Sequence, residues 1–182
     1  AEKPGQQVAP GAVLELEEGR RFVSRAGDKL ANALDHAGID VTGVRALDVG
    51  ASTGGFTDCL LQRGAASVAA DVGYGQLAWP LRQDPRVTVL ERTNARHLTR
   101  AHLPFAPDFV TVDVSFISVA LVWPAVVACC ADAWRACVMV KPQFEVGPGG
   151  VDHRGIVRDE KRYDDIRQRM EQAARAAGLS PV

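Results

Sequence analysis

Leu47-Asp48-Val49-Gly50-Ala51-Ser52-Thr53-Gly54-Gly55-Phe56 is the stretch on which the fold turns. Val44 to Val49 is a short, mostly apolar run, three glycines follow, and Phe56 to Arg63 continues as a helix with Gly64 as its stop. Strand, glycine turn and helix in that order make a nucleotide-binding corner. Glycines lack the Cβ atoms that would hold a ligand off the backbone, and the helix aims its first amides into the turn. The spacing Gly-x-x-x-Gly-Gly matches neither the dinucleotide pattern nor the phosphate loop, which argues against a bound phosphate. The next apolar run, Ser67 to Ala70, ends in Asp71, an acid placed to hold ribose hydroxyls. Together the turn and Asp71 predict a nucleoside ligand without phosphate, and S-adenosylmethionine is the cofactor they suggest. The plainer alternative, one more structural corner of an α/β protein, leaves the position of Asp71 unaccounted for.

Working outward, strands keep alternating with helices. Gly73-Tyr74-Gly75 leads into an amphipathic segment, Gln76 to Arg82, broken by Pro80, and then a strand over Val87 to Leu90 with Asn94 after its end. Phe109 to Val112 ends in Asp113, and an apolar helix, interrupted by Pro124, spans Phe116 to Ala131. Ala136 to Val140 ends in Lys141. Five strands alternating with helices predict an α/β fold with a doubly wound, mainly parallel sheet. In such a sheet the carboxyl ends of the strands line one crevice, so Gly50, Asp71 and Asn94 converge there. Asn94 could bond an adenine edge or simply cap the turn that follows it. Val146 to Val157 is glycine-rich and reads as a mobile flap, and a last helix runs from about Glu160 to Ala177.

Upstream, Ser24 caps a helix whose inward positions are Leu30, Ala33, Leu34 and Ala37, with Gly38 as its stop. Arg20, Arg21, Arg25 and Lys29 put four cations at the entry to the fold, either a solvated face or a contact for phosphates. Residues 1–19 carry turn signals and one short alternating strand, Val13 to Leu16, and read as the tail of a preceding domain or as a loosely attached arm. The main domain is expected over 20–182.

A chain of 182 residues that is 47% hydrophobic can bury one core of ordinary size. The net charge of −1 excludes nothing, since the local distribution of Arg and Lys decides phosphate contacts. Cys59, Cys129, Cys130 and Cys137 lie in apolar runs without Cys-x-x-Cys spacing and read as reduced core residues. His153 has no second ligand at metal-binding spacing, so no metal site is expected. With no signal peptide ahead of the folded part and no membrane-length apolar segment, a soluble cytoplasmic protein is expected.

Methyl transfer from a sulfonium to a hydroxyl is an in-line displacement that needs positioning and a base. A ribose 2′-hydroxyl is a poor acid, so a suitable base is a lysine held partly neutral by a second lysine nearby, with a carboxylate orienting the pair. Lys29, Asp113 and Lys141 supply that set.

Four motifs in order carry a resemblance: Ser24-Arg25-Ala26-Gly27-Asp28-Lys29-Leu30, Asp48 to Phe56, Asp113-Val114-Ser115-Phe116-Ile117-Ser118, and Val140-Lys141-Pro142-Gln143-Phe144-Glu145. Over residues 20–182 the chain resembles the TlyA family, rRNA ribose 2′-O-methyltransferases often labelled haemolysins, with an FtsJ-like catalytic domain. The resemblance implies that Lys29, Asp113 and Lys141 are three members of a Lys-Asp-Lys-Glu catalytic tetrad. It also implies that Gly54, Phe56, Asp71, Asn94 and Asp113 contact S-adenosylmethionine, together with Gly50, Ser52 and Gly55 of the turn. Ribosomal RNA or a ribosomal subunit is the implied partner, reached in part through Arg20, Arg21 and Arg25. Such proteins carry an N-terminal RNA-binding domain of the alpha-L type, of which only the end falls here, and their catalytic glutamate lies in two last strands beyond Val182. Glu145 does not match that glutamate. This chain is therefore expected to keep the cofactor crevice, to bind rRNA weakly, and to methylate poorly or not at all by itself.

Three competing readings remain weaker. An NAD-dependent oxidoreductase suits the sheet but not the glycine spacing. A non-catalytic ribosome-binding module gives no reason for Asp113 and Lys141 to end adjacent strands. A membrane-lysing protein would need an amphipathic basic helix with a broad apolar face or a spanning segment, and neither is present.

Overall fold

The computed structural model describes residues 19–181. The strand expected at Val13 to Leu16, and the tail it belongs to, lie outside the described residues. Strands β1 (Arg45–Val49), β2 (Ala66–Ala70), β3 (Val87–Leu90), β4 (Phe109–Val112) and β5 (Arg135–Val138) form one sheet in the order β3-β2-β1-β4-β5. Every pairing in it is parallel. The chain moves one way from β1 to β2 and β3, then returns to place β4 on the other side of β1. The crevice therefore opens above the neighbouring ends of β1 and β4, the switch point of an open parallel sheet. Helices α1 (Arg25–Ala37), α2 (Gly55–Gln62), α3 (Trp79–Gln83), α4 (Val119–Val127), α5 (Pro142–Glu145) and α6 (Glu160–Ala176) connect and cover the strands, with short 3-10 turns at Ala95–His97 and Arg100–His102.

Alternation along each strand divides the core between the two faces. Leu47 and Val49 of β1, with Val110 and Val112 of β4, join Val122, Trp123 and Val126 of α4. Ala46 and Phe109 join Leu30 and Leu34 of α1 and Leu60 of α2 on the other face. Each fully buried leucine contributes about 1.5–3 kcal/mol. Ser24 caps α1 by accepting from the amide of Ala26, and Gly38 ends it with a left-handed φ of 61°. The buried positions of α1 are Gly27, Leu30, Ala31 and Leu34, whereas Ala33 and Ala37, expected inside, are exposed. Gly27 joins the buried stripe because the Phe22 ring lies over it, where a Cβ would overlap the ring.

Two prolines behave differently from expectation. Pro80 starts α3 instead of breaking a helix, since a first-turn position needs no amide donor. Pro124 lies inside α4, which runs on to Val127. Burial of Val119, Val122, Trp123 and Val126 outweighs the one amide that the proline removes. The latter part of the segment expected as a mobile flap is tied to one carboxylate: Asp152 accepts from the amides of Arg154 at 2.8 Å and Ile156 at 3.0 Å and pairs with Arg158 at 2.6 Å.

β5 ends at Val138, two residues before the expected Val140, and its side chains are half-buried or exposed where those of β4 are fully buried. Beside it, between α4 and α6, runs an apolar groove of about 1030 Å³ lined by Trp123, Trp134, Val138, Tyr163, Met170 and Leu179. All four cysteines are free thiols, Cys59 and Cys129 buried, Cys130 and Cys137 half-buried. Burial pushes each thiol above its ordinary value, that of Cys130 to about 12.

Candidate active site

The glycine turn joins protein segments before it could join a ligand. Gly50 has φ 85°, and a Cβ on it would stand 2.7 Å from the carbonyl oxygen of Asp113, so β1 and β4 can meet at the crevice only through a glycine. Gly54 has φ 97° and packs against Leu77 and Leu81, while a Cβ on Gly55 would overlap Ser24 Oγ and come within 2.9 Å of the Gly27 amide nitrogen. Gly55 thus serves the packing of α1 on α2. The Phe56 side chain is 4% exposed among Leu30, Leu34 and Leu60, which leaves only its backbone amide for a ligand. The amides of Gly55 and Phe56, in the first turn of α2, have no protein acceptor among the described residues.

Asp71 closes the other side of the turn. Its Oδ2 accepts from the amide of Ser52 at 2.8 Å and its Oδ1 from the amide of Gly73 at 2.7 Å. Ser52 reaches it in a left-handed conformation, φ 50°. Both carboxylate oxygens are aimed and each keeps a lone pair for a hydroxyl donor. Asn94 is exposed, and its Oδ1 accepts from the amide of Arg96 at 3.0 Å, so it does cap the turn that follows.

At the end of β4 the Asp113 amide donates to Val49 O at 2.9 Å, extending the pairing of β1 and β4 to the crevice. Asp113 Oδ1 lies 2.6 Å from Lys141 Nζ, an ion pair whose angle does not suit a directed hydrogen bond. Lys141 Nζ also donates to Ser115 Oγ at 2.8 Å. Lys29 is exposed on α1 and has no carboxylate within ion-pairing distance among the described residues. The structure therefore brings Asp113 and Lys141 together and leaves Lys29 outside their ion pair. Arg20, Arg21 and Arg25 are all exposed, with the Arg21 guanidinium 4.8 Å over the Phe22 ring.

Asp48 and Phe116, close to the crevice, were not singled out in the sequence, and Glu145 was named there only as no match for the catalytic glutamate. Asp48 is completely buried on the α1–α2 face, accepting from Thr57 Oγ1 at 2.7 Å and Thr111 Oγ1 at 2.9 Å. Burial raises its carboxyl to about 6 although both threonines pull it down, and the Asp113 charge adds a small push upward. An acid at an inward strand position, with threonines on the facing elements, was the signal. Phe116 stands 91% exposed with φ 64°, its ring 5.2 Å from that of Phe144. Glu145 is buried at the start of α4, where Oε2 accepts from Ser118 Oγ at 2.5 Å and Oε1 from the Val119 amide at 2.8 Å.

Residues 22–179 match the FtsJ-like methyltransferase family. The chain is 54% identical over 162 residues to the 16S/23S rRNA (cytidine-2'-O)-methyltransferase TlyA of Mycobacterium tuberculosis, covering 87% of this chain and 60% of that protein. It is 42% identical over 149 residues to Hemolysin A of Brachyspira hyodysenteriae, covering 81% of this chain and 62% of that one. A crystal structure of a Lactococcus lactis protein described as a hemolysin superposes with a TM-score of 0.84 at 40% identity, over 88% of this chain and 77% of that one. With a turn built on Gly50, an acid at Asp71 and the Asp113–Lys141 pair all within the matched region, the chain belongs to the FtsJ-like methyltransferase family, alongside the TlyA proteins.

Proposed function

We propose that this chain carries the methyl-transfer site of an rRNA ribose 2′-O-methyltransferase of TlyA type that uses S-adenosylmethionine. The observation that carries the reading is the double use of Asp113. Its backbone carbonyl packs on Gly50 in the cofactor turn, and its side chain pairs with Lys141. A nucleoside crevice and a base are thus built on one residue. Asp71 would hold the ribose hydroxyls, and the open amides of α2 would face the polar end of the cofactor. When bound, S-adenosylmethionine supplies a sulfonium methyl group, which passes to oxygen as its carbon–sulfur bond breaks.

Lys141 in its neutral form takes the proton from the substrate 2′-hydroxyl at Nζ, and Asp113 holds that nitrogen in line. Lys29, on the helix packed against Gly55, is the second lysine of the proposed set, and Asn94 retains an amide donor for an adenine edge. Phe116 offers a bare aromatic face beside Ser115 on which an unstacked base can rest, a contact commonly worth about 1–3 kcal/mol. Arg20, Arg21 and Arg25 supply charge for the RNA backbone. An rRNA substrate would be met in the cytoplasm; among the described residues no helix is long and apolar enough to cross a membrane.

Calorimetric titration with S-adenosylmethionine, with Asp71→Ala as control, tests the crevice. Micromolar binding that the variant loses supports it, whereas thermal protection by NAD and not by S-adenosylhomocysteine would overturn it. Single-turnover methyl transfer to ribosomal subunits with the chain in large excess, a condition that reads even the poor transfer expected of it, compares wild type with Lys141→Ala and tests the chemistry.

A further inference from the structure

The two loops that carry Asp113 and Lys141 are joined by contacts that run in step along both chains. Lys141 meets Asp113 and Ser115, the Phe144 ring meets that of Phe116, and Glu145 meets Ser118 and the first amide of α4. The last of these is the buried end of the series. Glu145 is 6% exposed, both of its carboxylate oxygens are engaged, and the positive end of α4 faces it. It is also fixed from behind, since Arg169 of α6 donates to its backbone carbonyl at 2.8 Å.

From Glu145 back to Lys141 the chain is a single helical turn. Phe144 N donates to Lys141 O at 2.9 Å and Val146 N to Pro142 O at 3.1 Å, with Pro142 fixing the first dihedral. A turn of this kind transmits the position of one end to the other. The other loop is held in a costly shape, because Phe116 sits at φ 64°, where a side chain with a Cβ is disfavoured. Strain of this sort persists only where neighbours enforce it, and the Ser118–Glu145 bond closes the loop two residues later.

We propose that Glu145 is a positioning residue for Lys141: by clasping Ser118 and the Val119 amide, it locks the turn at 142–145 against the loop at 113–118 and so sets Lys141 Nζ between Asp113 and Ser115. The consequence for methyl transfer rests on the reading that Lys141 takes the proton. Its own observable is the environment of the Lys141 amine, which needs no turnover.

Competitive acetylation of the chain across pH, read by mass spectrometry for Lys141 with Lys29 as internal reference, measures that environment. In wild type Lys141, 21% exposed and paired, reacts more slowly than Lys29. In Glu145→Ala the reactivity of Lys141 rises roughly tenfold, the scale of losing one hydrogen bond to a charged group, and its pH profile approaches that of Lys29. Glu145→Gln stays within about twofold of wild type, because the amide can accept from Val119 and donate to the Ser118 hydroxyl. Affinity for S-adenosylmethionine is unchanged in both. An unaltered Lys141 profile in folded Glu145→Ala overturns the proposal. If that variant does not fold, Ser118→Ala, which removes the donor to Glu145 together with the side-chain cap of α4 and spares the Val119 amide, decides by the same readout: a rise supports the proposal and no change overturns it. Methyl transfer that survives Lys141→Ala would defeat the assignment of the base and leave the acetylation result standing.

Discussion

Asp71 is held by two backbone amides, those of Ser52 and Gly73, whereas Lys141 is held by two side chains, Asp113 and Ser115. The strands beneath them differ in the same sense: β2 is almost wholly buried, and β5 is half open beside the groove against α6. The proposed cofactor half of the site is thus built into chain geometry, and the proposed proton-transfer half is assembled from side chains on separate loops. Geometry of the first kind tolerates few substitutions but needs few partners. The second kind depends on several residues at once and is easier to loosen without unfolding the protein.

The sharpest way to break that contrast is at the point where the halves touch. Gly50→Ala places a Cβ 2.7 Å from the Asp113 carbonyl at φ 85°. It should cost about 3 kcal/mol or more, read as a melting temperature lower by roughly 6–12 °C, with cofactor binding lost as well. A variant as stable as wild type would show that the two halves are not rigidly joined. Asp48 comes next. A carboxyl raised from 3.8 to about 6 by burial holds its proton in the folded state, so its contribution is fully present below about pH 4 and is lost as pH rises through 6. The span corresponds to about 3 kcal/mol. Asp48→Asn cannot titrate, so the difference in melting temperature between wild type and variant should drift in the variant's favour from pH 4 to 6.5 and then level off. A constant difference would mean that the carboxyl does not change its charge in that window.

Smaller effects probe the other half. Lys141→Met should change stability by less than about 1 kcal/mol, since a partly exposed ion pair contributes little, while cofactor affinity stays within about twofold and methyl transfer falls. Loss of cofactor binding in this variant would merge the two halves that the structure separates. Lys29→Ala should alter stability by no more than about 0.5 kcal/mol, as expected for an exposed side chain with no ion pair among the described residues. Any larger loss in chemical denaturation would reveal a partner for Lys29 that the structure does not contain.

The same contrast governs what could be read from the sequence. The strand, the turn at Gly50 and the acid at Asp71 follow from local constraints, a positive φ and the end of an apolar run, and they stand where they were expected. So do the cap at Ser24 and the stop at Gly38. The Gly55 contact with α1, the burial of Phe56 and the clasp of Glu145 on α4 depend on segments far apart in the chain, and no local pattern announces them. Asp113 was legible as the residue that follows its strand; Lys141, expected at the end of the neighbouring strand, stands past the end of β5 as the cap of α5, and their partner Ser115 was not legible. Pro124 was misread for a related reason: local propensity marks an interruption, and only packing against the sheet overrides it.

The four thiols have a practical corollary. With two cysteines buried, two half-buried and every thiol pushed above the ordinary value, thiolate is scarce near neutral pH, and the native protein should react slowly with maleimides. A cysteine installed in place of the bare Phe116 ring would then be the one fast-reacting group on the described surface. A fluorophore attached there would stand beside Lys141, the proposed base, and would test optically whether RNA arrives at the site, on a background that needs no prior removal of native cysteines.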